Sequence, residues 1–279
     1  MKQVILTIAV LYAALSISIH AHAYEIGLDA QWMDFTATPG REWMEPFTGM
    51  EFVWVPAGCF MMGSPESEKG RKEYEGPLRK ICVDGFWMGK YEVTQEEWMT
   101  IMDKNPSHFY NYGAMDPVEK VSWDDAKTFI RKLNAKRVGT FRLPTEAEWE
   151  YACRAGTTTP YSFGSMLNTD MAVYLGLDSY EQITSSWHGG TKSVGSFEPN
   201  NFGLYDMHGN VWEWCEDTYE WYQAGPAKNP LIVKNDNPKR ILRGGGWYSI
   251  PNYLRSAFRT GKKHDTIEYY NGFRLVRSP

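Results

Sequence analysis

A single compact α+β domain is the fold class that the sequence predicts, and three observations carry it. Helix-start signals recur at Thr94, Ser122 and Thr145, each followed three residues later by an acidic residue. Two apolar, strand-like runs, Phe52 to Met62 and Arg79 to Met88, are separated by a charged loop containing Gly and Pro. No Pro/Gly/Ser linker, low-complexity tract or repeat interrupts the chain, and about 256 residues remain after a 23-residue leader, enough for one substantial core. An aromatic content of 15 %, with 12 Trp, points to a core organised by aromatic side chains.

Taken in order, the elements are these. Residues 1–23 start with Lys2, run through the apolar stretch Val4 to Ile19 and end in Ala21-His22-Ala23, the pattern of a cleaved signal peptide. The stretch is short for a membrane span, and no later stretch would act as a stop-transfer segment. A periplasmic or secreted location follows as the expectation, with cleavage between Ala23 and Tyr24. Residues 24–47 are expected to form an N-terminal arm. Cys59 and Cys82 lie on the two predicted strands, and a Cys59–Cys82 disulfide is expected there. Gln95 to Met102, Trp123 to Arg137 and a segment from Thr145 to before Gly156 read as helices. Their acidic residues serve as caps or meet the helix dipole, with no need for paired-carboxylate catalysis. Cys153 and Cys215 read as buried free thiols, with a bridge between them as the alternative.

The stretch Gly203-Leu-Tyr-Asp206-Met-His-Gly209-Asn-Val211-Trp-Glu213-Trp214 alternates oxygen donors with large aromatics. Carboxylates at Asp206 and Glu213, with Gly209 between them to let the chain curl, form an oxygen-only donor set that suits calcium. The alternative is that Trp212 and Trp214 are core residues and the carboxylates cap turns.

With Gly58-Cys-Phe-Met-Met-Gly-Ser64, Lys90-Tyr-Glu-Val-Thr94, Phe141-Arg-Leu-Pro-Thr-Glu-Ala-Glu-Trp-Glu150, Arg243-Gly-Gly-Gly-Trp247 and Asn271-Gly-Phe-Arg274, this stretch resembles the formylglycine-generating enzyme, or sulfatase-modifying factor, family. The match covers residues 48–279 in unbroken order. The resemblance implies a C-type-lectin-like fold, low in regular secondary structure and stabilised by calcium. Carried over by position, one calcium would be held by the side chains of Asp206 and Glu213 and the main-chain oxygens of Gly209 and Val211. The family's other calcium site lacks one donor here, because Ala172-Val173-Tyr174 has valine in place of its asparagine; Asp178 or Glu181 would have to compensate. The family also binds copper(I) through two cysteines downstream of the Gly-Gly motif. No cysteine follows Cys215 here, and Ser249 falls close to the first thiol position. A hydroxyl is a poor ligand for Cu(I), so no copper is expected.

Residues 234–279 carry ten Lys or Arg against three acids, within a chain of net charge −5. The resemblance assigns this region to a substrate groove formed by Trp247, Ser249, Tyr253, Arg255 and Arg259, with the arginines presented to an anionic or peptide ligand. The alternative pairs them with acids of the same domain. An acidic exported chain is a poor nucleic-acid partner. His108, His188, His208 and His264 form no metal-spacing motif, and no nucleophile elbow, P-loop or dinucleotide fingerprint is present.

Two functions follow. One is a calcium-stabilised binding or accessory protein of the cell envelope, taking a peptide, glycan or envelope protein. The other is an oxidoreductase: either a cysteine-independent periplasmic tailoring enzyme, of the kind the resemblance links to siderophore maturation, or a formylglycine-generating oxidase acting on sulfatase cysteines.

Overall fold

The computed structural model describes residues 38–175 and 189–278. The expected signal peptide, the arm up to residue 37, Asp178, Glu181 and His188 lie outside the described residues. Among the described residues, twelve short strands, three α-helices and two short 3-10 helices form a mixed α+β domain.

The strand-like run Phe52 to Met62 is two strands, β2 (Glu51–Val55) and β3 (Gly58–Met62), broken at Pro56, which has no N–H to give to a ladder. Arg79 to Met88 likewise divides into β4 (Arg79–Val83) and β5 (Phe86–Gly89). Gly85 lies at that break, where a Cβ would come within 2.5 Å of the Trp54 ring. The two long runs therefore pair twice, in different sheets. β2 pairs with β5, and β3 with β4, both antiparallel.

β1 (Glu42–Met44) edges the five-stranded sheet, which runs β1-β2-β5-β12-β6 with β6 (Phe141–Arg142) and β12 (Val276–Arg277). Residues 42–44 are therefore part of the domain, which begins before the expected boundary at 48. β3 and β4 join β8 (Ala227–Lys228) in a three-stranded sheet. A four-stranded sheet has the order β10-β9-β7-β11, with β7 (Trp212–Thr218), β9 (Lys239–Arg243), β10 (Thr260–Lys263) and β11 (Asn271–Gly272).

Each helix opens with a reciprocal capping box. In α1 (Gln95–Ile101) the Thr94 hydroxyl accepts from Glu97 N at 3.2 Å, and Thr94 N donates back to Glu97 at 2.8 Å. Ser122 with Asp125 opens α2 (Trp123–Asn134), and Thr145 with Glu148 opens α3 (Glu146–Arg154). α2 stops three residues short of the expected Arg137. Its last residue, Asn134, donates to Phe141 O at 2.9 Å and accepts from Phe141 N at 2.8 Å, so the helix end is tied to β6.

α3 is buried along its whole length, charged residues included. Glu146 accepts from Arg259 at 2.6 and 2.7 Å and from the Tyr222 hydroxyl at 3.1 Å. Glu150 accepts from Gly63 N, Arg154 and Arg243. The acids of this helix thus do more than cap it: Glu146 and Glu150 are core ion-pair partners. Apolar cores pack on either side of the sheets, one around Trp98, Phe129, Trp214 and Phe273 and the other around Phe86, Met88, Trp149 and Cys215. Among the described residues no helix is long and apolar enough to cross a membrane.

Cys59 and Cys82 face each other in the β3–β4 ladder with Cα atoms 3.9 Å apart, and they form a disulfide. Cys153 and Cys215 are free and buried. Reducing the bond, or replacing both its cysteines by serine, should cost about 3 kcal/mol of stability for a loop of this length, read as a lower denaturant midpoint.

Glu119 is fully buried, and Phe109 N donates to one of its oxygens at 2.8 Å. Burial raises its carboxyl from 4.5 to about 7, against the lowering effect of the Phe109 N–H. A folded value above the unfolded one makes its contribution fully present below pH 4.5 and lost as pH rises through about 7. Glu119→Gln should therefore gain on the parent across that window by on the order of 2 kcal/mol, measured by denaturation at each pH. A constant difference across the window would contradict this.

Candidate functional site

The loop that leads into β7 has an unusual backbone. Asp206, Gly209 and Asn210 all adopt positive φ, at 57°, 117° and 63°. Only glycine fits at 209, where a Cβ would lie 2.3 Å from Val173 O. Left-handed conformations at Asp and Asn are held here by the surroundings: Asp206 accepts from Gly195 N at 2.7 Å, and Asn210 N donates to Val173 O at 3.0 Å.

This loop brings Asp206 and Glu213 into one buried cluster with two residues that local spacing did not reveal, Glu92 and Arg274. Arg274 forks onto Glu213 with two contacts of 2.7 Å, and Trp149 Nε1 donates to the same carboxylate at 2.8 Å. Glu92 accepts from the Asn210 side chain at 3.1 Å and from Val211 N at 3.3 Å. Burial, then the charges of Asp206 and Glu213, push Glu92 well above the usual carboxylate range. Burial likewise raises Asp206 to about 6, with the Gly195 N–H and Arg274 opposing it.

Two buried carboxylates, Glu92 and Glu213, and the half-buried Asp206 thus share the neighbourhood of one guanidinium. A set of carboxyl oxygens that outnumbers the one guanidinium fits a hard cation, which would favour their ionised forms. Among the described residues no three His, Cys, Asp or Glu side chains are placed to hold a metal ion. A cation bound here would therefore depend on main-chain oxygens as well as on the carboxylates. Glu92 and Arg274 do lie in the blocks Lys90 to Thr94 and Asn271 to Arg274, so their position in the motifs was the available signal.

The second feature is an open cavity of about 550 Å³ at the basic C-terminal region. Ser249 and Tyr253 are among its lining residues. Tyr248, Phe258, Tyr269 and Trp212 add further aromatic wall. Trp247 is not in the lining; it is 6 % exposed and packs behind Tyr248 and Tyr269, with ring centroids at 5.4 and 5.7 Å. The aromatic pair Tyr269-Tyr270 was the sequence signal that the groove reading missed.

Arg255 and Arg259 do not present their guanidinium groups to a ligand, which corrects the expectation for both. Each is 1 % exposed. Arg255 forks onto Glu75 at 2.6 and 2.9 Å and also reaches Glu68, while Arg259 holds Glu146. An unpaired buried charge costs several kcal/mol, so acids of the same domain claim both arginines.

No cysteine lines this cavity. Cys153 lies against His208, Sγ to Nε2 3.6 Å, but burial raises its thiol to about 12, and Cys215 is also held well above the usual thiol range by burial. Neither is a ready thiolate. Imidazole Nδ1 of His208 meets Leu254 O at 2.7 Å, and its Nε2 accepts from Ser162 N at 3.0 Å, so this histidine is fully engaged in the structure.

Residues 41–279 match the model of the sulfatase-modifying factor enzyme 1-like domain. Over 243 residues the chain is 31 % identical to a Paenibacillus barcinonensis protein named chaperone protein LppX, covering 72 % of this chain and 82 % of that one. It is 26 % identical to the formylglycine-generating enzyme of Mus musculus, covering 83 % of this chain and 76 % of the mouse enzyme. The solved structure of PvdO from Pseudomonas aeruginosa aligns with a TM-score of 0.78 at 28 % identity, over 87 % of this chain and all of that one.

Arg259→Ala should destabilise the domain by about 3 kcal/mol, because it takes from the buried Glu146 its two-pronged partner and leaves Arg243 at 3.4 Å and the Tyr222 hydroxyl to hold it. Chemical denaturation reads this loss; a variant as stable as the parent would return Arg259 to the groove.

Proposed function

Because the chain belongs to the sulfatase-modifying factor enzyme 1-like domain family, we propose that it is a calcium-stabilised binding or accessory domain of the cell envelope, with its ligand seated in the aromatic cavity. The observation that carries this reading is the cavity wall: where the family resemblance places a copper-binding thiol, this chain has Ser249, and no thiol stands elsewhere in the lining. Soft thiolates hold Cu(I), and a neutral hydroxyl does not replace them. What remains is a concave, largely aromatic pocket of a size suited to a small ligand or the tip of a larger one.

In this reading calcium is held by Asp206, Glu213 and the main-chain oxygens of Gly209 and Val211. The ion supplies charge compensation to a cluster with more carboxylates than guanidinium groups. The signal-peptide pattern of residues 1–23 supports export, where free calcium is plentiful. A second reading, an oxidoreductase that works without cysteine on a small phenolic substrate, is favoured by the same aromatic wall.

Calcium should raise the melting temperature of the parent, by an amount equivalent to about 4 kcal/mol at a thousandfold excess over Kd. Asp206→Ala and Glu213→Ala should lose that increment and melt alike with calcium or chelator. Equal melting of the parent in calcium and in chelator would remove the ion from the proposal.

Protein loaded with Cu(I) should leave a Cys-x-Pro-x-Arg peptide unchanged by mass; conversion of its cysteine to the aldehyde would overturn the binding reading. Oxygen uptake with a phenolic compound and no peptide would move the assignment to the second reading.

A further inference from the structure

Asn271 lies in the wall of the 550 Å³ cavity, is 0 % exposed, and neither its Oδ1 nor its Nδ2 has a hydrogen-bond partner. Its backbone leaves little room for adjustment. The residue is paired with Trp212 in the parallel β11–β7 ladder, and its N–H donates to Glu268 O at 3.1 Å. Buried side-chain amides are nearly always bonded, and a position that leaves both halves of one unsatisfied is unusual. Aromatic rings surround the opening: Tyr253 and Phe258 lie 4.7 Å apart, Trp212 sits 5.9 Å from Phe258, and Tyr269 and Tyr270 are 5.4 Å apart.

We propose that Asn271 is the recognition group of this cavity for a flat aromatic ligand that carries an N–H and a C=O side by side on one edge, as in an aryl primary carboxamide, an aromatic lactam or a pyrimidinone. This rests on the reading of the cavity as the ligand site. An asparagine amide presents a donor N–H and an acceptor oxygen side by side on one edge, so a ligand edge with the complementary pair satisfies both at once. A single trans peptide bond points its N–H and C=O in opposite directions and meets only one of them. The ring of such a ligand finds π-faces and edges on the walls, which a non-planar aliphatic amide does not use. Selectivity then comes from the amide: a ligand that lacks the N–H leaves Asn271 Oδ1 buried and unpaired, a heavier penalty than the loss of one exposed contact.

Calorimetric titration of the full chain with naphthamide and with methyl naphthoate tests this. The two probes share a ring and a carbonyl, and only the amide has the N–H. Naphthamide should bind about tenfold more tightly than the ester, and in Asn271→Leu that ratio should fall to about one. The wild-type ratio is decisive even if the leucine variant does not fold. Equal binding of the two probes by the parent, or a preference that survives in Asn271→Leu, overturns the role of Asn271 and leaves the cavity reading intact. Binding of neither probe overturns both.

Discussion

Buried arginine–carboxylate pairing is the interaction on which the rest of this structure depends. Arg243, Arg255, Arg259 and Arg274 are all nearly or fully inaccessible, and each holds a buried glutamate or several main-chain oxygens. A domain of short strands and long irregular connections has many carbonyl groups that no ladder satisfies. The planar guanidinium, with five donors, meets several at once. Arg255 reaches Gly70 O and Asn252 O as well as Glu75, and Arg274 reaches Gly89 O and Tyr205 O as well as Glu213. Segments far apart in sequence are thereby pinned together without regular secondary structure.

The same logic gives the two candidate sites their different characters. Around Arg259 and Glu146 the charges balance closely, and the result is a scaffold. Around Arg274 they do not, because Glu92 and Asp206 join Glu213 against one guanidinium; burial leaves both acids less willing to ionise. A surplus of oxygen donors in a loop already held at positive φ is an arrangement that a cation would complete. The cavity lies on the far side of the same motif, since Trp212 lines it while Glu213, the next residue, turns into the carboxylate cluster. One short strand, β7, therefore serves both the carboxylate cluster and the cavity wall, through the alternation of its side chains.

Local chemistry was legible in the residues wherever a short-range rule governs. Capping boxes at Thr94, Ser122 and Thr145 read correctly because both partners lie within one turn. The Cys59–Cys82 bridge was legible because the two apolar runs had to pair. The ordered motifs carried the family and with it the α+β fold. Strand ends were less clear: Pro56 and Gly85 break two runs whose hydrophobicity is continuous, and hydropathy does not register a change of sheet.

By itself, then, the amino-acid order determined the helix starts, the disulfide, the family motifs and the loss of the downstream thiols, all of which depend on neighbours in the chain or on residue identity alone. Tertiary structure decided which charges face inward. Arg255 and Arg259 sit in an aromatic, basic segment that looks like a ligand surface, yet their partners Glu75 and Glu146 are 180 and 113 residues away. In the sequence Asn271 is only the first residue of a motif, and its unsatisfied amide appears only once β11 is laid beside Trp212. Both are questions of burial, and burial is set by contacts between distant parts of the chain.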